Sequence, residues 1–323
     1  MTTRRRFTKA FGSLLIVALL TAACGGDDGG GGAGGGNGTS GADLSGATFS
    51  VGSKEFTEQL VLGQITIQAL EAAGATAEDK TKLPGSVQAR SALEAGQIDM
   101  YWEYTGTGWI VYLKHTKPIA DPQKQYEAVA EEDLDKNDIK WLEPAPADNT
   151  YAIAASNETV DQDGVTTISG LPDLLQQDPT QASLCVGTEF AVRDDGLPGL
   201  EKHYGFQWPT EQIAKVTEGV IYEQVDKAET CRYGEVFATD GRISALGLTV
   251  LEDDEQFFPI YNPSLTVNNE AYSKYGPELD KIFEPIAAKL DTETLQTLNA
   301  QVDVDGLPEE AVAEKWLTDN GFM

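Results

Sequence analysis

The chain has 323 residues, with 52 acidic residues against 23 basic ones and a formal net charge of −29. This balance excludes nucleic-acid binding as a main function, because phosphate recognition needs a basic face. With only two His and three Cys, and no CxxC pair, the sequence predicts neither a metal site nor a cofactor. The length suffices for two domains.

The first 23 residues have the layout of a bacterial signal peptide. Four basic residues open the segment, and the apolar stretch 13–20 is too short to span a bilayer. Residues 20–24, Leu-Thr-Ala-Ala-Cys, resemble a lipoprotein cleavage box, although Thr21 stands where Leu is commoner. We therefore expect a lipidated Cys24 that anchors the protein to the outer face of the cell membrane. An ordinary signal peptide is the alternative, and residues 3–9 also resemble a twin-arginine export signal.

Residues 24–46 predict a tether, because a segment this rich in Gly cannot bury a core. The body from residue 47 onwards alternates strand-like and helix-like segments. Strands are predicted at 47–52, 98–104, 139–142, 151–155, 184–187, 235–238 and 248–251. Helices are predicted at 57–73, 86–95 and 122–134, and from starts near Pro277, Asp291 and Pro308. Such alternation favours an α/β fold with mostly parallel sheets.

Two cysteines remain in the body once Cys24 is assigned to the lipid. An oxidising compartment favours a disulfide between Cys185 and Cys231, which would close a long loop and stabilise the fold by ~4 kcal/mol. Two free thiols are the alternative.

Six short segments, each with an aromatic or basic centre, lie where a strand-like run meets a turn, which is where open α/β sheets bind ligands. They are residues 52–58 (GSKEFTE), 103–108 (EYTGTG), 149–152 (NTYA), 189–196 (EFAVRDDG), 237–243 (FATDGRI) and 258–263 (FPIYNP). Together with VDVDG at residues 302–306, these segments resemble the glycine betaine, carnitine and choline-binding proteins of osmoprotectant ABC importers. The resemblance covers almost all of residues 47–323.

This resemblance implies a two-lobed, type II periplasmic-binding-protein fold with two crossovers and a central ligand cleft. One lobe would comprise residues 47–149 plus 261–323, and the other residues 150–260. The protein would capture a quaternary ammonium ligand, deliver it to an ABC permease and carry out no catalysis of its own.

The resemblance also implies the ligand-binding residues. An aromatic cage would consist of Tyr104, Tyr151, Tyr261 and Phe237, although a Tyr is usual at the last position. Ring faces suit a trimethylammonium group, which has no N–H to donate. Lys54, Arg193 and Thr107 would bind the carboxylate of a zwitterion, since a guanidinium can hold a carboxylate with two parallel bonds.

Glycine betaine is the first expectation for the ligand, and proline betaine, carnitine, choline and ergothioneine remain open. A secreted carboxylate-dependent hydrolase is a competing class, but among turn segments only Asp194, Asp195 and Asp240 stand out as candidate acids. A purely adhesive surface module would not need the basic residues and the tyrosines together.

Overall fold

The computed structural model describes residues 41–323, so the predicted signal peptide, Cys24 and the tether up to residue 40 lie outside the described residues. The described strands are β1 (Thr48–Lys54), β2 (Thr76–Leu83), β3 (Met100–Tyr104), β4 (Ile139–Trp141), β5 (Tyr151–Ser156), β6 (Leu184–Val186), β7 (Ile213–Lys215), β8 (Tyr233–Phe237), β9 (Leu248–Val250) and β10 (Pro263–Asn268). The described helices are α1 (Thr57–Ala72), α2 (Gly85–Glu94), α3 (Thr105–Thr107), α4 (Pro122–Asn137), α5 (Asn157–Asp163), α6 (Leu171–Gln177), α7 (Leu197–His203), α8 (Glu218–Lys227), α9 (Arg242–Ala245), α10 (Asn269–Ala287), α11 (Thr292–Asp303) and α12 (Glu309–Asp319). Within residues 41–323, no helix has the length and apolar character needed to cross a bilayer.

The first sheet has the strand order β2-β1-β3-β10-β4. Strand β1 runs parallel to β2 and β3, whereas β10 runs antiparallel to both β3 and β4. Helices α1, α10, α11 and α12 pack on this first sheet and form the main hydrophobic core with it. Leu62, Trp102 and Phe283 are fully buried there. Leu44 is buried in the same core, so part of the predicted tether packs with the body.

The second sheet has the order β7-β6-β8-β5-β9. Strand β6 runs parallel to β7 and β8, whereas β5 runs antiparallel to β8 and β9. A disulfide joins Cys185 on β6 to Cys231, two residues before β8, with the Cα atoms 5.5 Å apart. Both sulfur-bearing residues are fully buried.

Two segments connect the sheets, residues 142–150 and 251–262, and hydrogen bonds hold them side by side. The Asn149 N–H donates to the Tyr261 carbonyl at 3.1 Å, and the Tyr261 N–H donates to Asp148 Oδ1 at 2.8 Å. The side-chain amide of Asn262 donates to the Ala147 carbonyl at 2.7 Å. The two connections therefore form one paired hinge region.

The α/β alternation is confirmed, but the expectation of mostly parallel sheets is wrong. Each sheet contains two antiparallel pairings, because β10 and β5 each return between other strands. The prediction missed β2, an exposed and largely polar edge strand, and β10, which is almost wholly buried and opens with a Pro.

Two predicted helix starts are also wrong. Helix α10 begins at Asn269 under an Asn268 cap, and Pro277 lies inside it. Helix α2 begins at Gly85, with Ser86 already in its first turn. In both cases the sequence cue is a residue that commonly opens a helix, but Ser86 lies in the first turn of α2 and Pro277 is the ninth residue of α10.

Candidate functional site

A cleft of about 670 Å³ lies between the two sheets, and residues from both sheets line it. All seven predicted ligand-binding residues line this one cleft: Lys54, Tyr104, Thr107, Tyr151, Arg193, Phe237 and Tyr261. Most of them stand at strand ends, because β1, β3 and β8 end at the cleft and β5 begins there. The polypeptide therefore brings together side chains that are up to about 200 positions apart in the sequence.

Five aromatic rings form a continuous row along the cleft. Phe56 stacks on Tyr104 and on Phe237, with ring centroids 6.2 and 5.3 Å apart. Phe237 lies 5.2 Å from Tyr151, which meets the Tyr261 ring edge-on at 5.5 Å. The sequence-based cage lacked Phe56, although this residue lies within the GSKEFTE segment. The signal available in the sequence was the position of Phe56 directly before α1 and two residues after Lys54.

Lys54 is buried and already has an anionic partner. Its ammonium donates to Glu103 Oε1 at 2.6 Å and lies 5.0 Å from the centroid of the Tyr104 ring. The other Glu103 oxygen accepts from the hydroxyls of Tyr101 and Tyr112. One bond to Glu103 leaves two of the three ammonium N–H donors for a group in the cleft.

Arg193 is held by a bidentate ion pair with Asp195. Its Nε and Nη2 donate to the two carboxylate oxygens at 2.7 and 2.6 Å, and the Tyr261 hydroxyl donates to the same carboxylate at 2.7 Å. Burial opposes ionisation of Asp195, but the bonds and charge of Arg193 hold its pKa below the ordinary value. Arg193 also reaches Thr107 Oγ1 at 3.4 Å. The guanidinium is thus oriented before any ligand arrives.

Glu189 makes a contact across the cleft. One carboxylate oxygen accepts from the Ser86 N–H at 2.7 Å, and the other accepts from the Ser86 hydroxyl at 2.9 Å. Helix α2 has no side chain of its own that caps its N-terminus. The Glu189 carboxylate, which follows β6, instead accepts from a backbone N–H group in the first turn of the helix. Gly85 has φ +78°, and a Cβ there would lie 2.6 Å from Glu189 Oε1. Burial opposes ionisation of Glu189, but the charge of Lys54 and the bonds from Ser86 lower its pKa.

The ATDGRI segment makes a second contact between the two halves. The side chains of Gln296 and Asn299 on α11 donate to the carbonyls of Ala238 and Thr239, both at 2.9 Å. A Cβ on Gly241 would lie 2.5 Å from the Ala300 Cβ, so only Gly allows this close approach. Arg242 pairs with Asp240 and lies 3.4 Å from Asp303 Oδ2. This part of the motif therefore docks on α11 instead of lining the cage.

Three buried or half-buried carboxyls near the cleft were missed by the sequence reasoning. Glu58 accepts from the Tyr104 hydroxyl at 2.8 Å and from Asn149 at 2.6 Å, and burial raises its pKa. Burial, with Glu189 and Glu55 nearby, raises the pKa of Glu218 to about 7. Burial raises the pKa of Glu235 to about 8, although it accepts from the Gly187 N–H. Burial thus favours the neutral, protonated form of each of these three carboxyls.

The described residues hold no group of three or more His, Cys, Asp or Glu side chains arranged to bind a metal ion. Two of the three acids considered for a hydrolase are held in ion pairs with arginines, Asp195 by Arg193 and Asp240 by Arg242. The arrangement of rings, oriented bases and cross-cleft contacts suits ligand capture.

The fold is that of the type II periplasmic binding proteins, with two lobes and a ligand cleft. The solved structure "Apo YehZ" from Escherichia coli superposes with a TM-score of 0.63 at 33% identity, covering 85% of this chain and 99% of that one. A "glycine betaine/carnitine/choline ABC transporter" structure gives a TM-score of 0.68 at 25% identity, with 85% and 98% covered.

Residues 47–319 match the family described as "Substrate binding domain of ABC-type glycine betaine transport system". The chain belongs to this family, whose members bind substrates for transport. It is 36% identical over 281 residues to the "Glycine-betaine-binding protein" of Pseudomonas aeruginosa, covering 85% of this chain and 89% of that protein. It is 34% identical to the "Glycine betaine-binding protein YehZ" of Escherichia coli, with 84% and 90% covered.

Proposed function

We propose that this protein is an extracytoplasmic solute-binding protein that captures a quaternary ammonium osmoprotectant, first of all glycine betaine, and delivers it to an ABC permease. The observation that carries the proposal is the single cleft lined by four predicted cage rings, Lys54, Arg193 and Thr107. The names of the relatives from Pseudomonas aeruginosa and Escherichia coli support glycine betaine as the ligand.

Within the cleft, the aromatic row would hold the cationic head. Each ring face contributes ~0.5–2 kcal/mol to a cation, so several rings reach a useful affinity without any N–H donor on the ligand.

The ligand carboxylate would lie at the other end of the cleft. Lys54 keeps two free N–H donors, and Arg193 and Thr107 already meet there at 3.4 Å. Because Glu103 and Asp195 neutralise the two bases, the site offers directed donors without a net excess of positive charge. That balance fits a zwitterion better than a simple anion.

Capture would proceed by closure of two lobes, residues 47–149 plus 261–323 and residues 150–260. The division of the strands between the two sheets, with hydrogen-bonded connections at 147–149 and 261–262, supports these boundaries. The Glu189 carboxylate on Ser86 is a contact that opening would break. Ligand that bridges the lobes would shift the population towards the closed form.

We further propose that Cys24 carries the lipid and that the Gly-rich tether lets the lobes reach the permease from the outer face of the membrane. The permease and its cytoplasmic ATPase would supply the energy of transport, so this chain would catalyse nothing.

Titration calorimetry against glycine betaine, proline betaine, carnitine, choline and ergothioneine tests the proposal. We expect one-site binding of at least one ligand, with glycine betaine among the tightest. Absence of binding across the panel, together with turnover of glycosides or esters, would instead favour the hydrolase.

A further inference from the structure

A second, smaller cavity of about 200 Å³ lies beside the ligand cleft. We call it the back chamber, defined by Glu58, Asp240, Arg242, Asn299 and Asp303 among its lining residues. Phe56 and Phe237 line both the cleft and the back chamber. The two rings therefore stand between the aromatic cage and this second space.

Charged side chains cluster around the back chamber. Five of its lining residues are acidic and one, Arg242, is basic. Arg242 pairs with Asp240 and lies 3.4 Å from Asp303 Oδ2, so three of these charged groups form one ion-pair cluster. The chamber, at about 200 Å³, is far larger than the ~15 Å³ that one water needs. The chamber therefore has room for water directly behind the cage.

The aromatic part of the partition consists of one ring from each half of the molecule, while Glu55, Asn149, Thr217 and Glu218 also line both spaces. Phe56 connects β1 to α1, and Phe237 ends β8. Their rings stack with centroids 5.3 Å apart and planes 19° from parallel. Phe56 also stacks on Tyr104, and Phe237 contacts Tyr151, so the pair continues the aromatic row without a break. Separation of the halves would unstack the pair and connect the two spaces.

We propose that Phe56 and Phe237 form a seal that determines ligand specificity: the stacked pair closes the cage towards the back chamber and limits the cationic head to about the size of a trimethylammonium group. This inference rests on the proposed function, because it concerns the head of a quaternary ammonium ligand. A larger head would have to displace a ring into the chamber. Loss of the seal would admit water, and cation–π attraction is weaker at hydrated sites than at desolvated ones.

Replacing Phe56 tests the seal, because Phe56 contacts both Tyr104 and Phe237 and its loss opens the partition. The probes are glycine betaine and N,N,N-triethylglycine, which share the carboxylate and differ only in head size. For Phe56→Ala we expect glycine betaine to bind roughly tenfold more weakly, since one ring is lost and the cage is hydrated. The ratio of the affinity for glycine betaine to the affinity for N,N,N-triethylglycine should fall by more than tenfold, because ethyl groups can enter the back chamber once the Phe56 ring is removed.

Phe206→Ala is the matched control. Phe206 is also a partly buried ring in contact with a neighbour, since it meets Trp208 edge-on with centroids 4.9 Å apart, but it lines neither cavity. Its affinity ratio should equal that of the wild type. Phe56→Leu is the second variant, which keeps part of the volume and should give an intermediate ratio. A ratio of two affinities measured on one preparation does not depend on its folded fraction.

The outcomes are distinguishable. A wild-type protein that binds glycine betaine while both Phe56 variants keep its affinity ratio would overturn the seal and leave the proposed function intact. A wild-type protein that binds neither probe nor any other quaternary amine would overturn both.

Discussion

Arg193→Ala should change the ligand preference of the protein more than its general ability to bind. If the guanidinium donates to the ligand carboxylate, its loss should weaken glycine betaine binding by on the order of 2–5 kcal/mol, the usual cost of truncating one partner of a buried charged pair. At about 1.4 kcal/mol per factor of ten, the affinity would fall roughly 30-fold to several thousandfold. Choline has no carboxylate, so its affinity should fall much less.

The structure also shows what the substitution does to the empty protein. Arg193 is 9% exposed, and its removal leaves the buried Asp195 carboxylate with the Tyr261 hydroxyl as its remaining side-chain donor. Breaking a buried pair in this way costs about 3–5 kcal/mol of stability. Because both ligands bind the same weakened protein, the ratio of their affinities isolates the contact with the ligand carboxylate.

Calorimetric titration of both ligands measures this ratio. Arg232→Ala is the control, since Arg232 also pairs with an aspartate, Asp163 at 2.7 Å, but does not line the cleft. Equal losses for glycine betaine and choline in Arg193→Ala, or a changed ratio in Arg232→Ala, would refute the assignment of Arg193 as the carboxylate donor.

Three further predictions follow from contacts described above. Glu189→Gln should weaken ligand binding about tenfold, because it removes a charge-assisted bond to Ser86 that links the two halves across the cleft; calorimetry that finds the affinity unchanged would contradict a role in closure. Reduction of the Cys185–Cys231 disulfide should lower the melting temperature by several degrees, as expected for ~4 kcal/mol in a chain of this size, and an unchanged melting curve would contradict that estimate. Folding raises the pKa of Glu235 from 4.5 to about 8, so between these values the folded state holds a proton that the unfolded state has lost, and stability falls as pH rises. Relative to Glu235→Gln, the wild-type free energy of unfolding should decrease by up to about 1.4 kcal/mol per pH unit in that range; parallel curves from denaturant titrations would refute it.

The sequence predicted the fold class because helix and strand signals alternate along most of the body. It did not predict the mixed sheets, since pairing direction depends on how distant segments return. Strand β2 was missed because its side chains are mostly exposed and polar, so that it joins the sheet through backbone bonds to β1. The start of α10 was misplaced because Pro277 is a familiar opening residue, whereas the true cap is Asn268.

For the candidate site, the sequence motifs named seven residues that the structure brings into one cleft. They did not predict that Lys54 and Arg193 already have carboxylate partners, because the pairing of Lys54 with Glu103 and of Arg193 with Asp195 depends on the fold. Nor did they predict Phe56 as part of the aromatic row, since its role depends on Phe237 from the other half. Raised pKa values such as that of Glu218 arise from burial and neighbouring acids, which composition cannot show.

The most direct test of the central claim asks whether the cleft recognises positive charge on a trimethylated head. Glycine betaine and 3,3-dimethylbutanoate have nearly the same shape and the same carboxylate, but only the first has a cationic head. With several ring faces contributing ~0.5–2 kcal/mol each, calorimetry on the wild-type protein should show glycine betaine binding at least about a hundredfold more tightly. Equal affinities for the two compounds would contradict an aromatic cage for a quaternary ammonium ligand.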